Sequence, residues 1–358
     1  MKRSLIYGGV FSFAACSFLF SSCSADKEEL ESMMDGKSSV SFTAVIDEVS
    51  DALRAAWDVV DPGLLVPDYS KNEIFRFTQG DQLVALSQGE SKTYAQEGIE
   101  VNDKGHVTAK LYSNGTAWFF YPSTTITNLD TTKSDVDNAI VSLTIQNTQN
   151  ANNQNKCVFL KTNPIDVVDG KLSTEVKFNH LTSLLRFHVL NETGNENLVV
   201  SSIKLEASKA IFPLSANYKF VGQETIVQKD MTLSNMSNVL EWRELTQTKD
   251  KMTYVTGSKT GYIYDALLVT LPIDAATLAS TELSVSVTFA DLEKKSAITP
   301  APVTYSADKL ASAFTNGWPN GKRSYFNIRF DQNHELSVFV SDYPGDWGTE
   351  SAEIDVVK

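Results

Sequence analysis

The sequence predicts an all-β protein of two domains, built as sandwiches or barrels with few short helices. Length is the first observation behind this. A 22-residue leader would leave 336 residues of the 358, more than one typical core organises. The second is a run of short segments rich in β-branched and aromatic residues, separated by Asn, Gly, Asp and Thr clusters. The third is strict period-2 alternation in Leu283-Ser284-Val285-Ser286-Val287-Thr288-Phe289, which turns one apolar face inward.

The elements follow in chain order. Lys2 and Arg3 precede an apolar run from Leu5 to Phe20, the pattern of a signal peptide. The run is shorter than the roughly 20 apolar residues of a spanning helix and contains Gly8 and Gly9. It ends in Leu19-Phe20-Ser21-Ser22-Cys23, which resembles a bacterial lipobox, with Phe20 where Leu is usual. Residues 1–22 are therefore read as the leader, Cys23 as the lipidated residue, and 23–38 as a charged tether. Several acyl chains on one cysteine make a durable outer-membrane anchor, because each buried methylene contributes about 0.8 kcal/mol. The Lys27-Glu28-Glu29 stretch resembles a surface-export signal.

Strands are predicted at Val40 to Ile46, His106 to Tyr112, Thr116 to Tyr121, Ala139 to Ile145 and Lys156 to Leu160. Further strands are predicted at Leu184 to Leu190, Leu198 to Leu205, Tyr262 to Leu271, Leu283 to Phe289, Ser324 to Phe330 and Glu335 to Val340. Asp51 to Val60 and Ala307 to Phe314 read as helices, the second with Ser306 as its N-cap and an end near Asn316-Gly317. The Asn- and Gln-rich stretch Gln146 to Asn155 reads as a loop. A polar break at Asn163 to Lys171 places the domain boundary near Asp169-Gly170, giving domains 39–170 and 171–358.

The chemistry the sequence could carry is limited. A formal net charge of -13 without any basic cluster disfavours nucleic acid as a partner. Loss of Cys16 with the leader and lipidation of Cys23 leave Cys157 without a disulfide partner. Cys157 lies in the apolar run Cys157-Val158-Phe159-Leu160 and reads as a buried small hydrophobe. His106, His180, His188 and His334 stand in no zinc-binding spacing, and no P-loop, GxGxxG or GxSxG sequence occurs. Asp135-Val136-Asp137-Asn138 spaces oxygen ligands as calcium loops do, but lacks the downstream Gly and Glu, and reads as a polar turn. Trp118-Phe119-Phe120-Tyr121 alternates its rings between two faces, which suits core filling more than a sugar-stacking platform. No cofactor, metal or catalytic residue is expected.

Several segments, in order, resemble the fimbrillin family, the subunits of type V pili. Val40-Ser41-Phe42-Thr43-Ala44 resembles the first family strand, and Arg54-Ala55 the step at which the family is trimmed. Phe77 to Leu83 resembles a Trp-x-x-Gly-Asp signature, with Phe77 replacing Trp. Trp118 to Pro122 is similar to a family strand end. Phe178-Asn179-His180-Leu181-Thr182-Ser183-Leu184-Leu185-Arg186-Phe187 is the most distinctive piece, and Asn320 to Tyr325 and Trp347 match the C-terminal pattern. Asp58 to Arg76 departs as an insertion.

The resemblance implies two transthyretin-like β-sandwich domains exported as a lipoprotein precursor. It implies a pilus subunit on the outer surface, with other pilin subunits as partners and host or bacterial surfaces as contacts. Protease cleavage after Arg54 would expel the strand carrying Val40, Phe42, Ala44 and Ile46, and a C-terminal strand of another subunit would fill the groove. The donor would be either Leu336 to Val340, through Leu336, Val338 and Val340, or Ala352 to Val357, through Ile354 and Val356. The rival reading is a monomeric surface lipoprotein that binds glycan or another ligand.

Overall fold

A computed structural model describes residues 36–43, 45–46, 58–59, 67–68, 77, 79–90, 94–102, 106–123, 126–127, 140–219, 231–255 and 261–341. The leader, Cys23, the tether, Ala44, Arg54, Asp135 to Asn138, Trp347, Ile354 and Val356 lie outside these residues. The protein is all-β, its sheets packed around two hydrophobic cores, with two short α-helices, Ala275–Leu278 and Ala307–Ala313, among the described residues.

The first core forms under a sheet whose central strand is Gly115–Tyr121. That strand pairs with Gln82–Gly89 on one edge and with Leu160–Thr162 and Ile165–Val168 on the other. Trp118, Phe119, Phe120 and Tyr121 are all buried, so both faces of the strand are covered. This explains a sequence that is apolar without interruption rather than alternating. Gly115 sits at φ 147, where a Cβ would lie 1.8 Å from the Gln88 carbonyl oxygen, so only glycine permits the two strands to approach.

The second core lies between two sheets. One runs Thr253–Val255, Gly261–Thr270, Ser183–Asn191, Arg323–Phe330, Leu336–Ser341. The other is centred on Leu198–Ala207, flanked by Val239–Arg243 and Leu283–Asp291. The alternation of Leu283 to Phe289 is realised: Leu283, Val285, Val287 and Phe289 are fully buried. The hairpin Phe212–Lys219/Met231–Ser237 leaves this half of the chain and pairs with Ile140–Thr144, so Ala216, Tyr218 and Met231 belong to the first core.

The two cores meet along two adjacent strands. In Gly261–Thr270 and the residue after it, Leu267, Val269 and Leu271 face the first core, while Tyr264, Ala266 and Leu268 face the second. Its neighbour Ser183–Asn191 makes the same division between Leu184 and Leu185. Along its far half this buried strand has Ser183–Asn191 on one edge, while Thr253–Val255 covers only Gly261 to Ile263 on the other. The Gln149 side chain fills that gap, its amide donating to the Val269 carbonyl at 2.6 Å and its oxygen accepting from the Val269 N–H at 2.9 Å. Gln154 donates to the Leu267 carbonyl at 2.7 Å. Two side-chain amides thus stand in for a missing strand.

Several expectations are corrected. Within Gln146 to Asn155, Thr148–Gln149 bridges in parallel to Val239–Arg243, and the stretch is an ordered clamp rather than a simple loop. Lys156 to Leu160 is not a strand, because Gln154–Cys157 forms a turn of 3-10 helix and the strand begins at Leu160. Asn150 and Asn153 cause this: the Asn150 N–H donates to Asn153 Oδ1 and Asn153 Nδ2 to the Thr148 carbonyl, bonds that compete with a ladder. Ile165–Val168 is a strand inside the supposed polar break, with Ile165 and Val167 buried. Asp58–Val59 pairs with Pro67–Asp68 as strand, so Asp51 to Val60 is not helical throughout. Ser306 has the extended backbone of an N-cap but its side chain makes no capping bond.

Two outcomes follow from the junction. Gln149→Leu strands the N–H and carbonyl of Val269 in the interior, and urea denaturation should show a loss of about 2–4 kcal/mol. His180, buried beside Arg323, is held neutral: burial and then the arginine charge lower its pKa from 6.5 to about 3. The unfolded chain therefore binds a proton that the folded chain refuses, so stability falls as pH drops below 6.5. Denaturation between pH 6.5 and 4.5, above the carboxylate range, should show a slope that His180→Asn flattens.

Candidate strand-exchange site

The first strand, Lys37–Thr43, alternates Ser38, Val40 and Phe42 inward with Ser39, Ser41 and Thr43 outward. Its ladder is antiparallel to His106–Tyr112 over all seven residues, from Lys37↔Tyr112 to Thr43↔His106. Outside, the Ser41 and Thr108 hydroxyls meet at 2.9 Å, Thr43 Oγ1 meets His106 Nδ1 at 2.9 Å, and the Lys37 ammonium stands 5.5 Å from the Tyr112 ring centre. Inside, Val40 is buried and Phe42 is half-buried, its ring 4.6 Å from that of Phe119. The partner strand lies deeper, with Val107, Ala109 and Leu111 fully enclosed.

Among the described residues the other edge of the first strand pairs with no strand. Further along, Val45–Ile46 pairs in parallel with Lys177–Phe178. Before that point the chains diverge, leaving a cleft of about 460 Å³ between Ser39 to Thr43 and Gly170 to Val176. The strand is thus held by one full ladder, one short one, and two apolar side chains. Burying Val40 and part of Phe42 contributes on the order of 3–4 kcal/mol, little for an element that covers Phe119 and the His106–Tyr112 edge.

The chain's last described strand, Leu336–Ser341, is bound differently. It pairs antiparallel with Arg323–Phe330 and closes its own sheet, with Leu336, Val338 and Val340 buried in the second core. The Tyr305 hydroxyl donates to the Val338 carbonyl. Of the remaining expected positions, Ile46 is described in its backbone pairing only, and Cys23, Ala44, Arg54, Ile354 and Val356 lie outside the described residues.

Titratable groups elsewhere are engaged with one another. Asp265 Oδ1 accepts from Arg186 Nε and Nη2, at 3.2 and 3.0 Å, and meets His188 Nδ1 at 2.8 Å. Burial pushes this carboxyl up, but the His188 hydrogen bond and the His188 and Arg186 charges outweigh it and hold it below the ordinary value. The cluster bolts two adjacent strands together. Its signal in the sequence is Arg186 and His188 alternating within an apolar strand, a pattern that strand reading alone does not single out. Cys157 is fully buried, its thiol pushed up by that burial, as expected of a packing residue. Among the described residues no group of three His, Cys, Asp or Glu side chains could hold a metal ion.

No family model matches the sequence, and no curated protein matches it. Among solved structures the chain is similar to a "putative cell adhesion protein" from Bacteroides ovatus, at a TM-score of 0.47 and 11% identity, covering 86% of this chain and 99% of that one. A second protein of that description, from Bacteroides uniformis, gives 0.45 and 14% over 85% and 99%. The fimbrial anchor protein Mfa2 from Porphyromonas gingivalis gives 0.33 and 10% over 85% and 97%.

Phe42→Ala removes the deepest ring contact of the first strand. Hydrogen exchange at the amides of His106 to Tyr112 should then quicken about tenfold or more, while amides of the second core stay unchanged.

Proposed function

We propose that this chain is a fimbrillin-type structural subunit of a cell-surface pilus, exported as a lipoprotein through Cys23 and assembled by strand exchange. The observation that carries the reading is the first strand: shallowly held, joined along one full ladder, and bordered by a cleft. Cleavage after Arg54 would release everything through Ile46, and with it both ladders of this segment. The edges of His106–Tyr112 and Lys177–Phe178 would then lack partners, and Phe119 would lose its cover. Unpaired backbone beside exposed apolar surface is a template for an added strand.

Between the two candidate donors, burial favours the C-terminal segment. Donating Leu336 to Val340 would strip three buried side chains from the second core. Ala352, Ile354 and Val356 repeat the small-apolar-apolar spacing of Ser38, Val40 and Phe42 at every second residue. A segment with that pattern presents one apolar face to the same groove. The subunit's chemistry is then mechanical, and adhesion follows from display on the cell surface.

The test is digestion of the leaderless protein with an arginine-specific protease, followed by mass spectrometry and size analysis. Loss of the segment through Arg54 should produce ladder-like polymers. Arg54→Ala should block both cutting and growth, while Ile354→Asp with Val356→Asp should yield cut monomers that do not polymerise. A wild-type chain that is cut at Arg54 and stays a stable monomer overturns strand exchange.

A further inference from the structure

The second domain carries an exposed, ordered aromatic surface at its end remote from the junction. Among the described residues Tyr254 is one of four large apolar side chains in the open, at 55% exposed. It is not loose: it faces Tyr262 directly across the Thr253–Val255/Gly261–Thr270 ladder, with ring centres 4.9 Å apart and planes at 51°. The Glu196 carboxylate accepts from Lys249 Nζ at 2.6 Å, and the nearby Tyr262 hydroxyl favours its charged form. Hydrogen bonding by Lys249 and then its charge hold that carboxyl below its ordinary value.

The loop behind Glu196 is fixed by a buried residue. Asn191 donates to the carbonyls of Asn195 and Leu198 at 3.2 and 3.3 Å and accepts from the Thr193 hydroxyl at 2.7 Å. Lys249 stands on the 3-10 turn Lys249–Lys251. The position is set by strand register. Ser183, beside Leu184 of the first core, pairs with Thr270, whereas Asn191 pairs with Tyr262. The intervening strand length puts the tyrosines about 25 Å from the junction.

We infer that Tyr254, Tyr262, Glu196 and Lys249 form a recognition site for a neutral saccharide. An exposed phenol ring offers a negative π-face, which attracts the polarised C–H bonds on the apolar side of a pyranose. The hydroxyl rim of such a ring needs both donors and acceptors, and an exposed carboxylate–ammonium pair with unused lone pairs and N–H groups supplies them. The Lys249–Glu196 pair is itself neutral, so it offers neither a phosphate nor a cationic peptide an unmatched charge. Among the four residues named, the largely exposed apolar group is the Tyr254 ring, enough for a sugar face and small for a protein anchor. The Asn191 network and the Tyr262 contact hold the site ready, which lowers the ordering cost of a weak ligand.

The experiment uses the leaderless full chain against cellohexaose, maltohexaose, mannohexaose and an N-acetyllactosamine oligomer, read by saturation-transfer NMR and calorimetry. At least one should bind saturably with Kd of about 1 mM or tighter. Tyr254→Ala should weaken it at least tenfold, roughly one decade of affinity, and Tyr254→Phe should preserve it. Lys249→Met should weaken binding without altering the thermal midpoint. Absence of saturable binding across the panel overturns the inference. So does wild-type affinity in both Tyr254→Ala and Lys249→Met, or a Tyr254-dependent self-association in place of sugar binding. Tyr254→Ala should still be cut and polymerise, which separates this result from the assembly reading.

Discussion

A strand buried on both faces leaves its edge backbone groups no recourse to water, and this constraint organises the molecule. Gly261–Thr270 is such a strand. Leu267 and Val269 serve one core and Tyr264, Ala266 and Leu268 the other, so neither core is complete without it. The last rungs of its free edge are met by Gln149 and Gln154 rather than by another strand. Glutamine suits the task because its amide presents a donor and an acceptor side by side, as a peptide group does. The polar stretch between the halves of the chain is therefore where they are fastened together.

The first strand stands at the opposite extreme. The central strands are enclosed on both faces, and Leu336–Ser341 sets three side chains in the core. Lys37–Thr43 contributes one buried side chain and one half-buried ring. A fold with one weakly attached element and an otherwise well-packed body can shed that element and remain folded, because opening at the periphery does not propagate through a core fastened elsewhere. Such a division of stability is what an exchangeable strand requires. The tyrosine surface near Asn191 belongs to the well-packed body.

Most of the architecture is legible in the sequence because strand signals are local. The period-2 run at Leu283 and the apolar block at Trp118 declare one and two buried faces respectively, and the structure places both so. What escapes is set by tertiary partners. Gln149 and Gln154 read as loop because a buried glutamine that replaces a strand has the same letter as a solvated one. The Cys157-Val158-Phe159-Leu160 run reads as strand because its apolar content is real, but Asn150 and Asn153 claim the local backbone for a tight turn. Asn163 to Lys171 looks polar because its two inward residues, Ile165 and Val167, are separated by Asp166 and followed closely by Asp169-Gly170-Lys171. For the candidate site, the alternation of the first strand is visible in Ser38, Val40 and Phe42. Its second edge is not, since the cleft beside it is made by residues 170–176, far along the chain.

The sharing of Leu267, Val269 and Leu271 by the first core also dictates a timetable. A polypeptide is made from its N-terminus, yet the core that contains Gln82–Gly89 and Gly115–Tyr121 is completed only when Leu267, Val269 and Leu271 arrive. Over that interval Phe42 can cover Phe119, but the core still lacks Leu267, Val269 and Leu271. Pairings so distant along the chain form slowly and leave apolar strands vulnerable to joining with other chains. The nascent molecule consequently has a long window in which a holding chaperone is an advantage, and the glutamine clamp marks the moment at which that window shuts.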